Sequence, residues 1–128
     1  MLLLKDNDVQ KVLTMPMTLE ALDETQKEIV KGNAATMGRI DVYLPCERPE
    51  SYYRWAVMTG GAKRDGVVVA RMLSDIVSWP GDKGSQRENK HCIQPGTYFG
   101  MLIMFSARDG MPMAFSSICG SQAAPAWE

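Results

Sequence analysis

Val67-Val68-Val69-Ala70-Arg71-Met72-Leu73 is the stretch that decides the fold class. Three β-branched residues in a row lose side-chain freedom in a helix and suit a pleated sheet. No turn residue interrupts the run, so it predicts a central strand buried on both faces. Further strands are expected on either side. Arg39-Ile40-Asp41-Val42-Tyr43-Leu44 alternates strictly, placing Ile40, Val42 and Leu44 on one face and Arg39, Asp41 and Tyr43 on the other. Tyr52 to Met58 reads as a strand broken by Thr59-Gly60-Gly61. Tyr98 to Phe105 and Met111 to Ile118 read as a hairpin, with Asp109-Gly110 in its turn. Ser78 to Gln94 carries Pro80, Gly81, Gly84, Ser85 and mixed charges, and reads as a long loop.

Helical signals lie only before Gly32. Leu2 to Leu4 predicts a short opening strand. Asp6 or Asn7 then caps a short helix carrying Val9, Val12 and Leu13, which Pro16 ends. Thr18 predicts the N-cap of a second helix over 18–31, with Glu20 in its first turn. Leu19, Leu22, Ile29 and Val30 share one side, and Gly32-Asn33 is the stop signal. The order predicts an α+β domain, with N-terminal helices packed on a largely antiparallel sheet.

Composition narrows the function classes. The 128 residues include 14 Lys and Arg, 15 Asp and Glu and one His, a formal charge of −1. Such balance leaves no basic field for nucleic acid or anionic membrane. Hydrophobic residues are 45% and charged residues 23%, the mix of an ordinary globular domain. The N-terminal apolar run, Met1 to Leu4, is too short for a signal peptide or a membrane span, which predicts a cytoplasmic protein. Cys46, Cys92 and Cys119 form no CxxC pair and no zinc spacing, which fits free thiols in a reducing compartment. Cys92 follows His91, but neighbours on an extended chain point to opposite sides, so a nucleophile–base pair is not expected. Met101, Met104, Met111 and Met113 cluster at the last hairpin, as adaptable core filler or as a mouldable surface.

Chemistry rests on arginines. A guanidinium fork suits a carboxylate, because it donates two parallel hydrogen bonds. Arg39 opens one strand, and Arg71 interrupts the valine-rich one. A charge inside a buried strand needs a partner. That partner is either an acid such as Asp41 or Asp75, or an anionic ligand. No GxGxxG, GxSxG or HExxH motif is present, and no metal site is expected.

Six segments, in order, are similar to the N-terminal part of the ornithine cyclodeaminase/mu-crystallin family. They are Leu2 to Val9, Thr18 to Leu22, Met37-Gly38-Arg39 before the strand ending at Pro45, Gly66 to Ser74, Thr97 to Phe105, and Asp109-Gly110-Met111-Pro112-Met113-Ala114. The resemblance covers about residues 1–118 and implies a dimerisation and substrate domain there. Residues 119–128 read as a divergent tail. It implies NAD(H) or NADP(H) chemistry on a small amino or imino acid, such as cyclising deamination of ornithine to proline, or a related imine reduction. It also implies a homodimer. By the same resemblance Arg39, Arg71 and Thr97 contact substrate, Arg71 standing where the family more often has Lys; another register puts Val68 there. Tyr98 and Phe99 depart from the family's His-Gln. The family's Rossmann domain has no counterpart here, so the expectation is a truncated cyclodeaminase-like protein that does not bind the cofactor alone. Two alternatives remain: a standalone dimerising carboxylate-binding module without catalysis, and an unrelated small α+β enzyme with its site between subunits.

Overall fold

The computed structural model describes residues 1–79, 88–91 and 97–121. Two helices and seven strands follow one another as β1 (Leu2–Leu4), α1 (Asp6–Val12), α2 (Met15–Val30), β2 (Ala34–Pro45), β3 (Tyr52–Ala62), β4 (Val67–Ser78), β5 (Asn89–Lys90), β6 (Thr97–Ser106) and β7 (Pro112–Ser121). All strands join one sheet in the order β1-β7-β6-β4-β3-β2, and β5 pairs with the end of β4 beyond the reach of β6. Every pairing is antiparallel except β1 with β7. The fold is α+β, as expected.

The valine-rich stretch is central in the sheet but not covered on both sides. Leu73, Asp75 and Val77 are buried, whereas Val68, on the opposite face, is 39% exposed. Strand alternation therefore separates two unlike faces. One carries Asp41, Tyr43, Arg54, Ala56, Met58, Arg71, Leu73 and Asp75, as the registers Asp41↔Ala56↔Leu73 and Tyr43↔Arg54↔Asp75 require. The other carries Met37, Ile40, Val42, Leu44 and Val68, all exposed apolar side chains.

Several boundaries differ from the sequence reading. Gly60 and Gly61 do not break β3; they lie inside it. A Cβ on Gly61 would sit 2.8 Å from Val68 Cγ2 and 2.9 Å from the Val67 carbonyl oxygen, so glycine is there for close approach. The break comes at the turn ending in Gly66, whose φ of 66° favours glycine. The first helix begins at Asp6, and Asp8 Oδ2 accepts from the Lys5 N–H at 3.0 Å. Thr14, not Thr18, caps α2 by accepting from the Met17 N–H at 3.4 Å. Pro16 thus opens α2 rather than ending α1, since its missing N–H is harmless in a first turn. Thr18 instead donates its hydroxyl to the Thr14 carbonyl. Gly32 does end α2, with φ 74° and the Asn33 N–H returned to the Glu28 carbonyl. The expected long loop contains β5, tied back by the His91 N–H to the Ile76 carbonyl.

The helices make few contacts with the sheet, α1 with β7 and α2 with β2, and Glu24 of α2 pairs with Arg64 in the β3–β4 turn. No residue of either is buried, and Leu19, Leu22 and Val30 are 59%, 55% and 88% exposed. The chain exposes 9810 Å². A compact monomer of 14.2 kDa exposes roughly 6,800 Å². Exposed apolar side chains of the sheet and of both helices contribute to the chain's larger surface.

Candidate functional site

The polar face of the sheet holds two arrangements of charge. At one end Arg54 and Asp75, both with side chains 2% exposed, face each other across β3 and β4. Arg54 Nη2 donates to Asp75 Oδ2 at 2.8 Å, and Nη1 donates to Glu88 Oε2 at 2.6 Å. Burial works against the Arg54 charge, but the bonds to Asp75 and Glu88 outweigh it and raise its pKa. Tyr43, Tyr52 and Trp79 gather at this end, with ring centroids 5.9 and 6.3 Å apart. Ser78 Oγ and His91 Nε2, 2.7 Å apart, fasten the segment that carries Glu88.

The other end has a different character. The register of β2 and β3 shifts between Met37 and Ile40, so Gly38 and Arg39 stand opposite Met58. Met58 in turn pairs with Arg71. Arg39 and Arg71 therefore lie in one cross-strand row with Met58 between them, their backbones roughly 10 Å apart. Arg39 Nε donates to Asp41 Oδ2 at 2.8 Å. Arg71 forms no ion pair with a described residue, and its Nε is buried without a hydrogen-bond partner among them. Asp41 is taken by Arg39 and Asp75 by Arg54. Of the two partners open to Arg71 on sequence grounds, neither acid is used. Asp41 Oδ1, Asp75 Oδ1 and Arg54 Nε are also buried and unbonded. All four such atoms lie on this one face, which has hydrogen-bonding capacity for a polar ligand.

Thr97 lies apart from this row. Leu102 is the β6 partner of Arg71, and Thr97 is five residues further along the strand, roughly 17 Å away. Sequence reasoning missed Arg54, although the argument applied to Arg71 fits an arginine between Tyr53 and Trp55 equally well. A cleft of about 440 Å³ lies elsewhere, between Gly32, Met37, Gly61, Val68 and Ala107. It is mostly apolar and holds neither arginine. The described residues contain no cluster of three metal-ligating side chains, and no helix among them is long and apolar enough to cross a membrane. Cys46 is a free thiol; Cys92 lies outside the described residues.

The same topology occurs in solved enzymes. The chain superimposes on a probable ornithine cyclodeaminase from Bordetella pertussis Tohama I with a TM-score of 0.62 and 20% identity, over 91% of this chain and 30% of that one. An archaeal alanine dehydrogenase dimer with bound NAD gives 0.57 and 21%, over 91% and 30%. A Δ1-pyrroline-2-carboxylate reductase from Thermococcus litoralis, in complex with NADH and L-proline, gives 0.61 and 14%, over 91% and 32%. This is the fold of one part of ornithine cyclodeaminase-like enzymes. The chain spans about a third of the length of those proteins. No family model and no curated protein matches it.

The described residues do not themselves fit a dinucleotide. A pyrophosphate site needs a glycine-rich turn leading from a strand into a helix. Gly60 and Gly61 lie within β3, and the space above Gly61 is filled by Val68. The two described helices begin at Asp6 and Met15, and neither follows a glycine.

Proposed function

We propose that this chain is the substrate-side sheet of an ornithine cyclodeaminase-like enzyme, and that its polar face binds the carboxylate of a small amino or imino acid. The parent reaction is NAD(P)-dependent oxidation and cyclising deamination of an amino acid such as ornithine to proline, or a related imine reduction. One observation carries the reading: Arg71, on a central strand, has a buried Nε with no protein partner among the described residues. A buried donor with no acceptor is costly, and an anionic ligand removes that cost. Arg39, oriented by Asp41 in the same row, is the second cation, and Thr97 is a weaker candidate contact. Hydride chemistry would be supplied by a nicotinamide, for which the described residues offer no glycine-rich cradle. What these residues do is fix the carboxylate and so orient the α-carbon.

The second face supports a homodimer. Met37, Ile40, Val42, Leu44 and Val68 make an exposed apolar sheet surface. Residues 1–118 are accordingly the dimerisation and substrate domain. A carboxylate-binding module without catalysis is the second reading, favoured by the presence of both arginines on this chain alone.

Sedimentation and ligand titration test these points. The purified chain should sediment as a dimer, bind ornithine or proline, and lose that binding in Arg71→Ala and Arg39→Ala. Tight NADH binding by the chain alone would contradict the division of labour. A monomer that binds no carboxylate would contradict the whole reading.

A further inference from the structure

We propose that Asp41 determines specificity in this site, its free Oδ1 receiving the substrate's cationic amine while Arg71 takes the carboxylate. The inference rests on the carboxylate-binding reading above and goes further, to the other end of the ligand. Asp41 has two oxygens in different states. Oδ2 is held by Arg39 Nε at 2.8 Å. Oδ1 is buried and has no partner among the described residues. An ionised carboxylate accepts at both oxygens, so the second one has unused capacity in a place water reaches poorly.

Geometry puts that oxygen on the ligand side. Asp41 pairs with Ala56, which pairs with Leu73, which pairs with Gly100. This row lies next to the Arg39–Met58–Arg71 row, with Asp41 at one side and Arg71 in the adjoining row; Ala56 and Leu73, between Asp41 and Gly100, are 1% and 9% exposed. The Asp41 and Arg71 α-carbons are two strands and two residues apart, roughly 12 Å. An arginine side chain is long enough to close much of that gap. Opposite charges at the two sides, each with an unbonded buried atom, match a zwitterion and mismatch a simple carboxylate. Arg39 does not compete, because its bond fixes Asp41 through the other oxygen.

L-Proline and cyclopentanecarboxylate provide the test, since they share ring and carboxylate and differ at the nitrogen. Both are titrated into the full chain and into Asp41→Asn, which keeps the side chain's shape. The wild type should bind proline at least tenfold more tightly than cyclopentanecarboxylate. Asp41→Asn should lose that preference while binding cyclopentanecarboxylate as well as the wild type or better. Equal weakening of both ligands in the variant would show that Asp41 only holds Arg39, and would overturn the proposal. If the variant fails to fold, the wild-type ratio decides: equal affinities overturn the specificity role and leave the carboxylate site standing. Failure of the wild type to bind either ligand overturns both.

Discussion

Arg54 and Arg71 stand on the same face of the same sheet, on adjacent strands, and their surroundings differ completely. Arg54 is matched by Asp75 and Glu88, at the end of the sheet where Tyr43, Tyr52 and Trp79 gather. Arg71 is flanked by Met58 and Leu102, neither of which can accept a hydrogen bond usefully. The first arrangement satisfies most of a buried charge inside the protein. The second leaves a half-buried guanidinium with its Nε unbonded among the described residues. A fold selected for stability alone gains nothing from Arg71, since an apolar residue of similar length fits a sheet interior at least as well. The contrast separates an arginine that holds structure from the one we propose is kept for a ligand.

Substitutions can break this comparison in order of size. Asp75→Ala leaves Arg54 buried with its main partner gone, and should cost about 3–5 kcal/mol in urea unfolding. Glu88→Gln keeps a hydrogen bond but removes a charge that is 29% exposed, so a loss of about 1–2 kcal/mol is expected. Arg71→Met keeps the apolar stem and removes the unpaired head. Its stability should lie within about 1 kcal/mol of the wild type, or above it. A loss as large as that of Asp75→Ala would mean that Arg71 has a structural partner. Asp109, in the β6–β7 turn, is a reference outside the face. The Met111 N–H and the Ser106 hydroxyl hold its carboxyl below the usual range. A depressed carboxyl contributes stability above its ordinary pKa and loses it as pH falls through the folded value. The small stability gap between wild type and Asp109→Asn should therefore be present at neutral pH and close in acid, a trend followed by thermal melts across pH.

Much of this was legible in the chain. The alternation from Arg39 to Leu44 placed Asp41 and Tyr43 on one face with Arg39, and the Arg39–Asp41 bond follows from it. The Asp109-Gly110 turn and the Gly32 stop are local signals that tertiary packing did not override. What could not be read was long-range. Whether Asp41 or Asp75 would neutralise Arg71 depends on strand register, and β3 inserts Arg54 opposite Asp75 instead. Gly60-Gly61 resembles a turn signal, yet its cause is the approach of Val68 on the neighbouring strand. Pro16 was ambiguous because proline both ends one helix and opens the next, and only the Thr14 cap decides between them. Val67 to Leu73 did mark the central strand, but centrality in a sheet is not coverage of its faces.

The most direct test joins the two halves of the comparison in one experiment. L-Proline is titrated calorimetrically into the wild type and into Arg71→Met, with the unfolding midpoint of each measured alongside. The account predicts binding to the wild type, none to Arg71→Met, and a midpoint for the variant equal to or above the wild type's. Equal binding by both proteins, or a variant that unfolds as readily as Asp75→Ala, would contradict it.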